Sequence, residues 1–392
     1  MERHYGMDWL RIAAFGLLIL YHTGMVFVPW DFHIKTAEPA NWVAVPMLAT
    51  NAWRLSLLFA VSGFASAAML MRRPGAGAFF GERSARLLIP TIFAMIAIIP
   101  PQPWVELTVK HGYAHGFAHF WAHDYFRFGT LNGIVLPTWQ HLWFVVYLWA
   151  YTAVLALGLA VLPERARAAI GAVFGRLFGG PGVLIVPIAL LLGNLWWVWP
   201  GSEVRHTLVD DLPAHRIFLG AFLFGYLLAR SPEVWAAVRR WWKVAAVLAL
   251  IGYAVVAGVE LAWPGRAVPP VEWRIAFQVA RVVQGWAAIV ALIGMADRFW
   301  NRDHPWRATL TEAVFPFYIV HQSIIVLAAD ALRPLALPGW AEFTLLVTAT
   351  VAGCWTFYLI GRAIGPLRPL IGLRLARRAR SAREASPLPG AA

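Results

Sequence analysis

Charge is scarce in this sequence. Only 14% of its 392 residues are Asp, Glu, Lys or Arg, against about 25% in soluble domains. That deficit, in a chain that is 60% hydrophobic, excludes an ordinary water-solvated surface and points to the bilayer. Cysteine is nearly absent: Cys354 is the single one. It can form no internal disulfide and no cysteine-based metal site, and its apolar surroundings make it a small packing residue. Internal repeats are missing, as is a second soluble domain. The first apolar run is too long for a cleavable signal and has no small-residue cleavage site, so it reads as a retained first span. Acidic residues are also few, 20 against 33 basic ones, for a net charge of +13.

What is present is a series of apolar windows. They fall near 8–29, 43–70, 86–104, 138–161, 182–200, 213–229, 244–263, 274–296, 308–330 and 343–362, each close to the ~20 residues a spanning helix needs. The expected fold is all-α, a polytopic membrane protein with about 10 transmembrane helices. The cations test the count. Most of them lie at the two ends or after the even-numbered windows, as with Arg72, Arg83, Arg86, Arg165, Arg167, Arg176, Arg230, Arg239, Arg240, Lys243, Arg298, Arg302 and Arg307. Few lie in the opposite loops, among them Lys35, Lys110, Arg127, Arg205 and Arg333. This alternation places both termini in the cytoplasm. It also accounts for the basic charge as topology rather than as a nucleic-acid surface. The expected organisation is one membrane domain over 1–371 and a basic, disordered cytoplasmic tail over 372–392 that touches anionic lipid. The protein is expected to be multi-pass in the cytoplasmic (inner) membrane.

Two residues in the first window carry the strongest chemical signal. Arg11 and His22 are eleven positions apart, so on a helix they share a face to within about 20° and are separated by roughly 16 Å of rise. Ionisable residues inside a bilayer are costly and usually mark a pathway or a site. Taken singly, Arg11 also fits a snorkelling anchor and His22 a helix-packing histidine. Arg83 and Arg86 lie three apart where the third window opens, and paired arginines at a helix N-terminus suit phosphate; positive-inside topology alone is the competing account.

Other polar residues fall at the depth of His22 or further out. Arg54 lies midway in the second window, and Arg274, Gln278 and Arg281 share a face of the eighth. His141 and Trp143 open the fourth, and His321 lies in the outer half of the ninth. An outer-half polar cavity follows, unless these groups only bond one another between helices. His111, His115, His119 and His123 repeat every four residues; a ligating set of all four does not fit one helix face, and an interfacial helix is the better reading, with no metal expected. Ser62 before Gly63 reads as close helix packing, and Glu203, Asp210 and Asp211 as solvated loop charges.

In order and spacing, these segments resemble the acyltransferase 3 family of integral-membrane O-acyltransferases. The likeness is carried by Asp8-Trp9-Leu10-Arg11 with the Arg11-to-His22 spacing, by Phe59-Ala60-Val61-Ser62-Gly63-Phe64 and by Arg83 with Arg86. His141-Leu142-Trp143-Phe144 and Phe317-Tyr318-Ile319-Val320-His321 complete it. The fourth of these motifs is most similar to the branch that includes osmoregulated periplasmic glucan succinyltransferases. The resemblance implies transfer of an acyl group, acetyl or succinyl, from cytoplasmic acyl-CoA to a hydroxyl of an envelope glycan or related acceptor. It implies His22 and Arg11 as the catalytic pair and Arg83, Arg86 and Asp8 at the donor. No permanently bound cofactor is expected; acyl-CoA is the donor substrate. Acceptor-side candidates are Arg54, His141, Trp143, Arg281 and His321.

Physical chemistry fits the same scheme. A cationic mouth at Arg11, Arg83 and Arg86 can hold the donor's phosphates while its flexible arm threads inward. A neutral histidine can take a hydroxyl proton or become acylated. The rival is a transporter or flippase, whose cations would line a path; the missing repeat and the unpaired Gly/Pro pattern speak against it.

Overall fold

The computed structural model describes residues 4–72, 75–198 and 204–375. Arg3, Arg73, Glu203 and the tail beyond residue 375 lie outside them. The chain is a helical bundle. In order it forms α1 (Tyr5–Phe27), α2 (Ala44–Asn51), α3 (Arg54–Arg72), α4 (Ala76–Ala97) and α5 (Pro101–His111). A single turn, α6 (Phe117–His119), runs into a wide π turn over Phe120–Asp124. Then come α7 (Trp143–Val161), α8 (Glu164–Phe178), α9 (Gly182–Val198), α10 (Leu212–Leu228), α11 (Pro232–Ala262), α12 (Val271–Phe299), α13 (Pro305–Leu332), α14 (Gly339–Ala363) and the short α15 (Leu367–Leu370).

Each apolar window is largely helical, although the second is broken between α2 and α3 and the third runs across α4 and α5. Among the described residues, seven segments are long and apolar enough to cross a membrane, and nine if two bent pairs each count as one. Those pairs are α4 with α5, bent by 40°, and α8 with the first part of α9, bent by 98°. The count of about ten is reached only with α10, whose 17 residues fall short of a full span by themselves.

Two elements depart from the sequence expectation. α8 is an amphipathic helix rather than a loop: Ile170, Val173, Phe174 and Leu177 fall on one apolar face that lines the cavity described below, the pattern of a helix lying in an interface. The outer segment also holds a hairpin. β1 (Gly129–Leu131) pairs antiparallel with β2 (Ile134–Leu136), and the intervening Asn132 and Gly133 both have positive φ, 46° and 84°, which an Asn-Gly turn accepts at little cost.

α1 sits at the centre. It packs against α3, α12, α13 and α14, so the helix carrying Arg11 and His22 is walled by protein over much of its length. α3 and α10 are held in close contact. A Cβ at Gly63 would lie 1.9 Å from the Phe222 carbonyl oxygen, and one at Gly225 would lie 1.8 Å from that of Ala60. Only glycines allow this crossing, which accounts for Ser62-Gly63 as packing. Cys354 is fully buried.

Candidate active site

The described residues enclose one large cavity, of about 1690 Å³. Its polar part is lined by His22, Arg54, His141, Trp143, Arg281 and Gln322. Its apolar part is walled by α8, α9 and α10. Five helices and a turn supply these six residues, among them four of the five expected acceptor-side residues. His321 stands behind His22, fully buried, and is not itself a wall of the cavity. Arg274 is exposed and does not join Gln278 and Arg281 there.

The histidines are wired in a definite sense. His321 Nδ1 lies 2.8 Å from the Tyr318 carbonyl oxygen and His22 Nδ1 lies 2.7 Å from His321 Nε2. A carbonyl only accepts, so His321 carries its proton on Nδ1 and, when neutral, accepts at Nε2. His22 must then donate from Nδ1, which leaves its Nε2 lone pair free of any protein partner. The two rings stack at 5.0 Å. His141 Nε2 donates to the same Tyr318 carbonyl at 3.0 Å, and Tyr318 Oη donates back to the His141 carbonyl.

A buried amide relay continues outward. Gln102 Nε2 donates to Ser323 Oγ at 2.7 Å, with His141 Nδ1 a longer 3.5 Å away, and Ser323 Oγ donates to the Ile98 carbonyl. Gln322 Nε2 donates to Gln102 Oε1 and to His33 Nε2, both at 3.0 Å, and His33 Nδ1 donates to Glu106 Oε2 at 2.6 Å. Lys110 closes the row, 2.8 Å from both Glu106 and Asp31. Nothing in the sequence reading singled out Gln102, Gln322, Ser323, His33 or Glu106. The signal was available: a glutamine following His321 in an otherwise apolar helix demands partners.

Arg54 is only 4% exposed, and its Nε and Nη1 have no hydrogen-bond partner. It stands at the first residue of α3, where the second window breaks, rather than midway along a helix. Its guanidinium lies over the Tyr21 ring, 3.4 Å from the centroid. That ring is fixed in turn: Asn51 Nδ2 donates to Tyr21 Oη at 2.6 Å, and Arg281 Nη2 donates to Asn51 Oδ1 at 2.5 Å.

Arg11, Arg83 and Arg86 form a second cluster and are not walls of the cavity. Their charges act on one another, and Arg83 Nε and Nη2 are buried without partners. α4 begins at Ala76, so the pair sits well inside the helix and gains nothing from its N-terminal dipole, contrary to the sequence expectation; the dipole falls off within the first turn. Asp8 acts on Arg11 through its charge, but its hydrogen bond goes elsewhere. It accepts from Arg307 Nη1 at 2.7 Å, while Arg307 Nε reaches Asp303 at 2.7 Å, which ties α1 to the start of α13.

The connecting loops hold two further corrections. Asp211 is not a solvated loop charge. It is fully buried and accepts from Tyr147 Oη at 2.7 Å and from the backbone N–H of His206 and Arg205 at 2.7 and 3.1 Å. Burial raises its affinity for a proton, but these bonds outweigh it and hold the carboxyl below its ordinary range. The loop it anchors stacks His206 on Trp143 at 4.0 Å. The histidine repeat is not one helix: α5 ends at left-handed Gly112, and only His115, His119 and His123 stack, at 4.2 and 4.8 Å. In the 28–43 connection, burial lowers Lys35 to about 8 although Asp31 opposes it.

Comparison with known proteins gives the family. The family model of the acyltransferase 3 domain matches residues 4–359. Curated relatives include the glucans biosynthesis protein C of Escherichia coli O1:K1 / APEC and that of Escherichia coli O139:H28 (strain E24377A / ETEC). Each is 25% identical over 147 residues, covering 38% of this chain and 36% of the relative. The match thus spans little more than a third of those relatives' length. No solved structure matches. With the family pattern running through nearly all of a helical, membrane-spanning chain, the protein belongs to the acyltransferase 3 family and is a membrane acyltransferase.

Proposed function

We propose that the protein transfers an acyl group, acetyl or succinyl, from cytoplasmic acyl-CoA to a hydroxyl of an envelope glycan or related extracytoplasmic acceptor, with His22 as general base. The observation that carries this reading is the tautomer chain from the Tyr318 carbonyl through His321 to His22, which leaves a lone pair on His22 Nε2 at the wall of the cavity. A packing histidine needs no assigned free nitrogen; a base does.

The acceptor oxygen attacks the thioester carbonyl carbon as its proton passes to His22 Nε2. The C–S bond then breaks, and the imidazolium returns the proton to the departing thiolate, giving ester and CoA. His321 Nε2 accepts from His22 Nδ1 throughout, so the charge that develops on the imidazole is met by an oriented lone pair. Arg11, Arg83 and Arg86, which form no ion pair among the described residues, hold the donor's phosphates. Asp8 serves that end indirectly, through Arg307. His141 and Trp143 line the acceptor's side. Both termini are cytoplasmic in this reading, and the protein sits in the inner membrane, as the loop cations indicate.

The test is reconstitution in vesicles with labelled acyl-CoA and a glycan on opposite sides. Ester formation is expected in the wild type and a loss of about 10²–10⁴-fold in His22→Ala, with the variant still monodisperse. Normal transfer by His22→Ala overturns the assignment. Acid-stable ester with no acylated protein trapped at short times separates the base from an acyl-histidine carrier.

A further inference from the structure

The proposed reaction has one charge with no partner assigned so far: the oxygen of the thioester carbonyl, which becomes an oxyanion when the hydroxyl adds. We propose that Arg54 is the catalytic group that receives it. This rests on the acyl-transfer reading above and adds to it a residue in contact with the reacting atoms.

The argument starts from cost. A guanidinium removed from water without a carboxylate is among the most unfavourable groups a fold can hold. Arg54 is 4% exposed, and no ion pair involves it among the described residues. Such a group persists where something outside the free protein supplies the missing charge. Arg54 lines the same cavity as His22 and lies within electrostatic reach of its imidazole.

Its placement is fixed beforehand. The Tyr21 face backs the guanidinium at 3.4 Å, and Tyr21 immediately precedes His22 on α1. Asn51 and Arg281 hold the Tyr21 hydroxyl through two hydrogen bonds. Arg281 spends a donor on that task; Arg54 Nε and Nη1 are buried and have no partner among the described residues. One rigid helix turn therefore sets both the base and the ring behind the cation. Donors fixed before the reaction, in a site of low dielectric, stabilise developing charge without reorganising.

During attack, the new C–O bond forms at the carbonyl carbon and the carbonyl π pair moves onto oxygen beside Arg54. When that pair returns, the C–S bond breaks and the thiolate leaves with the proton held by His22. Arg54 neither gains nor loses a proton.

The experiment measures CoA release from acetyl-CoA and from succinyl-CoA by the full-length protein in nanodiscs, water serving as acceptor. Arg54→Gln is expected to lower kcat about 10²–10³-fold for both donors, with KM nearly unchanged. Free guanidinium should restore part of the rate to Arg54→Ala. Thermal unfolding of Arg54→Met should occur at or above the wild-type temperature, because a buried unpaired cation has been removed. Unchanged kcat in Arg54→Gln overturns the assignment alone. So does a loss confined to succinyl-CoA, which would make Arg54 a reader of the acyl carboxylate. A lowered melting temperature in Arg54→Met with no guanidinium rescue would make it structural. A wild type that releases no CoA from either donor, with water or with the glycan as acceptor, overturns the transferase reading itself, and this assignment with it.

Discussion

Two arginines of this protein are buried to almost the same degree and live in opposite surroundings. Arg307 is 6% exposed and grips Asp8 and Asp303 at 2.7 Å each. Arg54 is 4% exposed, rests on a tyrosine face and has two nitrogens without partners. Arg307 joins two helices near the N-terminus of α1; its charge is neutralised within the fold, and its work is finished when the chain has folded. Arg54 faces a cavity, and its charge is left over. Arg83, with two orphaned nitrogens beside Arg11 and Arg86, resembles Arg54 rather than Arg307. Burial therefore does not separate the two kinds of arginine here. The supply of counter-charge does.

That contrast can be broken by substitution. The largest effect is expected at the unpaired inner cluster. Arg83→Gln combined with Arg86→Gln should raise KM for acyl-CoA about 10- to 100-fold, since a charge-assisted hydrogen bond contributes about 1.5–3 kcal/mol. Its melting temperature should hold or rise, because mutual repulsion is relieved; an unchanged KM would return these residues to topology signals. The next effect belongs to the paired arginine. Arg307→Met should destabilise the fold by about 2 kcal/mol, below the 3–5 kcal/mol of a wholly buried pair because Asp8 and Asp303 are partly solvated, while the KM for acyl-CoA stays put. Thermal unfolding and donor titration of both variants would show whether the two classes part. The smallest effect concerns Lys35, a half-buried cation that donates to the Met25 and Val28 carbonyls. Its proton is lost near pH 8 in the fold and near 10.5 in the unfolded chain. The unfolded state thus binds more protons in that interval, and this group's contribution makes stability rise with pH from about 8 to 10.5. Lys35→Met should flatten that rise; melting curves at both ends of the interval decide.

The α-helical class and the helices that fill the apolar windows were legible from hydrophobicity, because a bilayer demands long apolar stretches whatever their neighbours. Arg11 and His22 were legible for the same reason: cost in lipid is a property of the residue and its position in the run. Less visible were elements whose signals are short or local. The hairpin announced itself only by Asn132-Gly133, and α8 only by the spacing of Ile170, Val173, Phe174 and Leu177. Asp211 read as a solvated charge because nothing in a linear loop shows that Tyr147 and two backbone amides will close over it. The pairing of Asp8 with Arg307 could not be read, because Arg307 lies 299 positions away.

Sequence alone determined which groups the membrane must tolerate: the apolar runs, the alternating loop cations and the few ionisable residues left inside. Tertiary structure decided which of those groups find partners. Pairing depends on what distant helices bring within about 3 Å, and no spacing along one helix encodes it. Only in the bundle do Tyr318 and His321 fix the tautomer of His22, does Arg307 meet two aspartates, and does Arg54 meet none among the described residues.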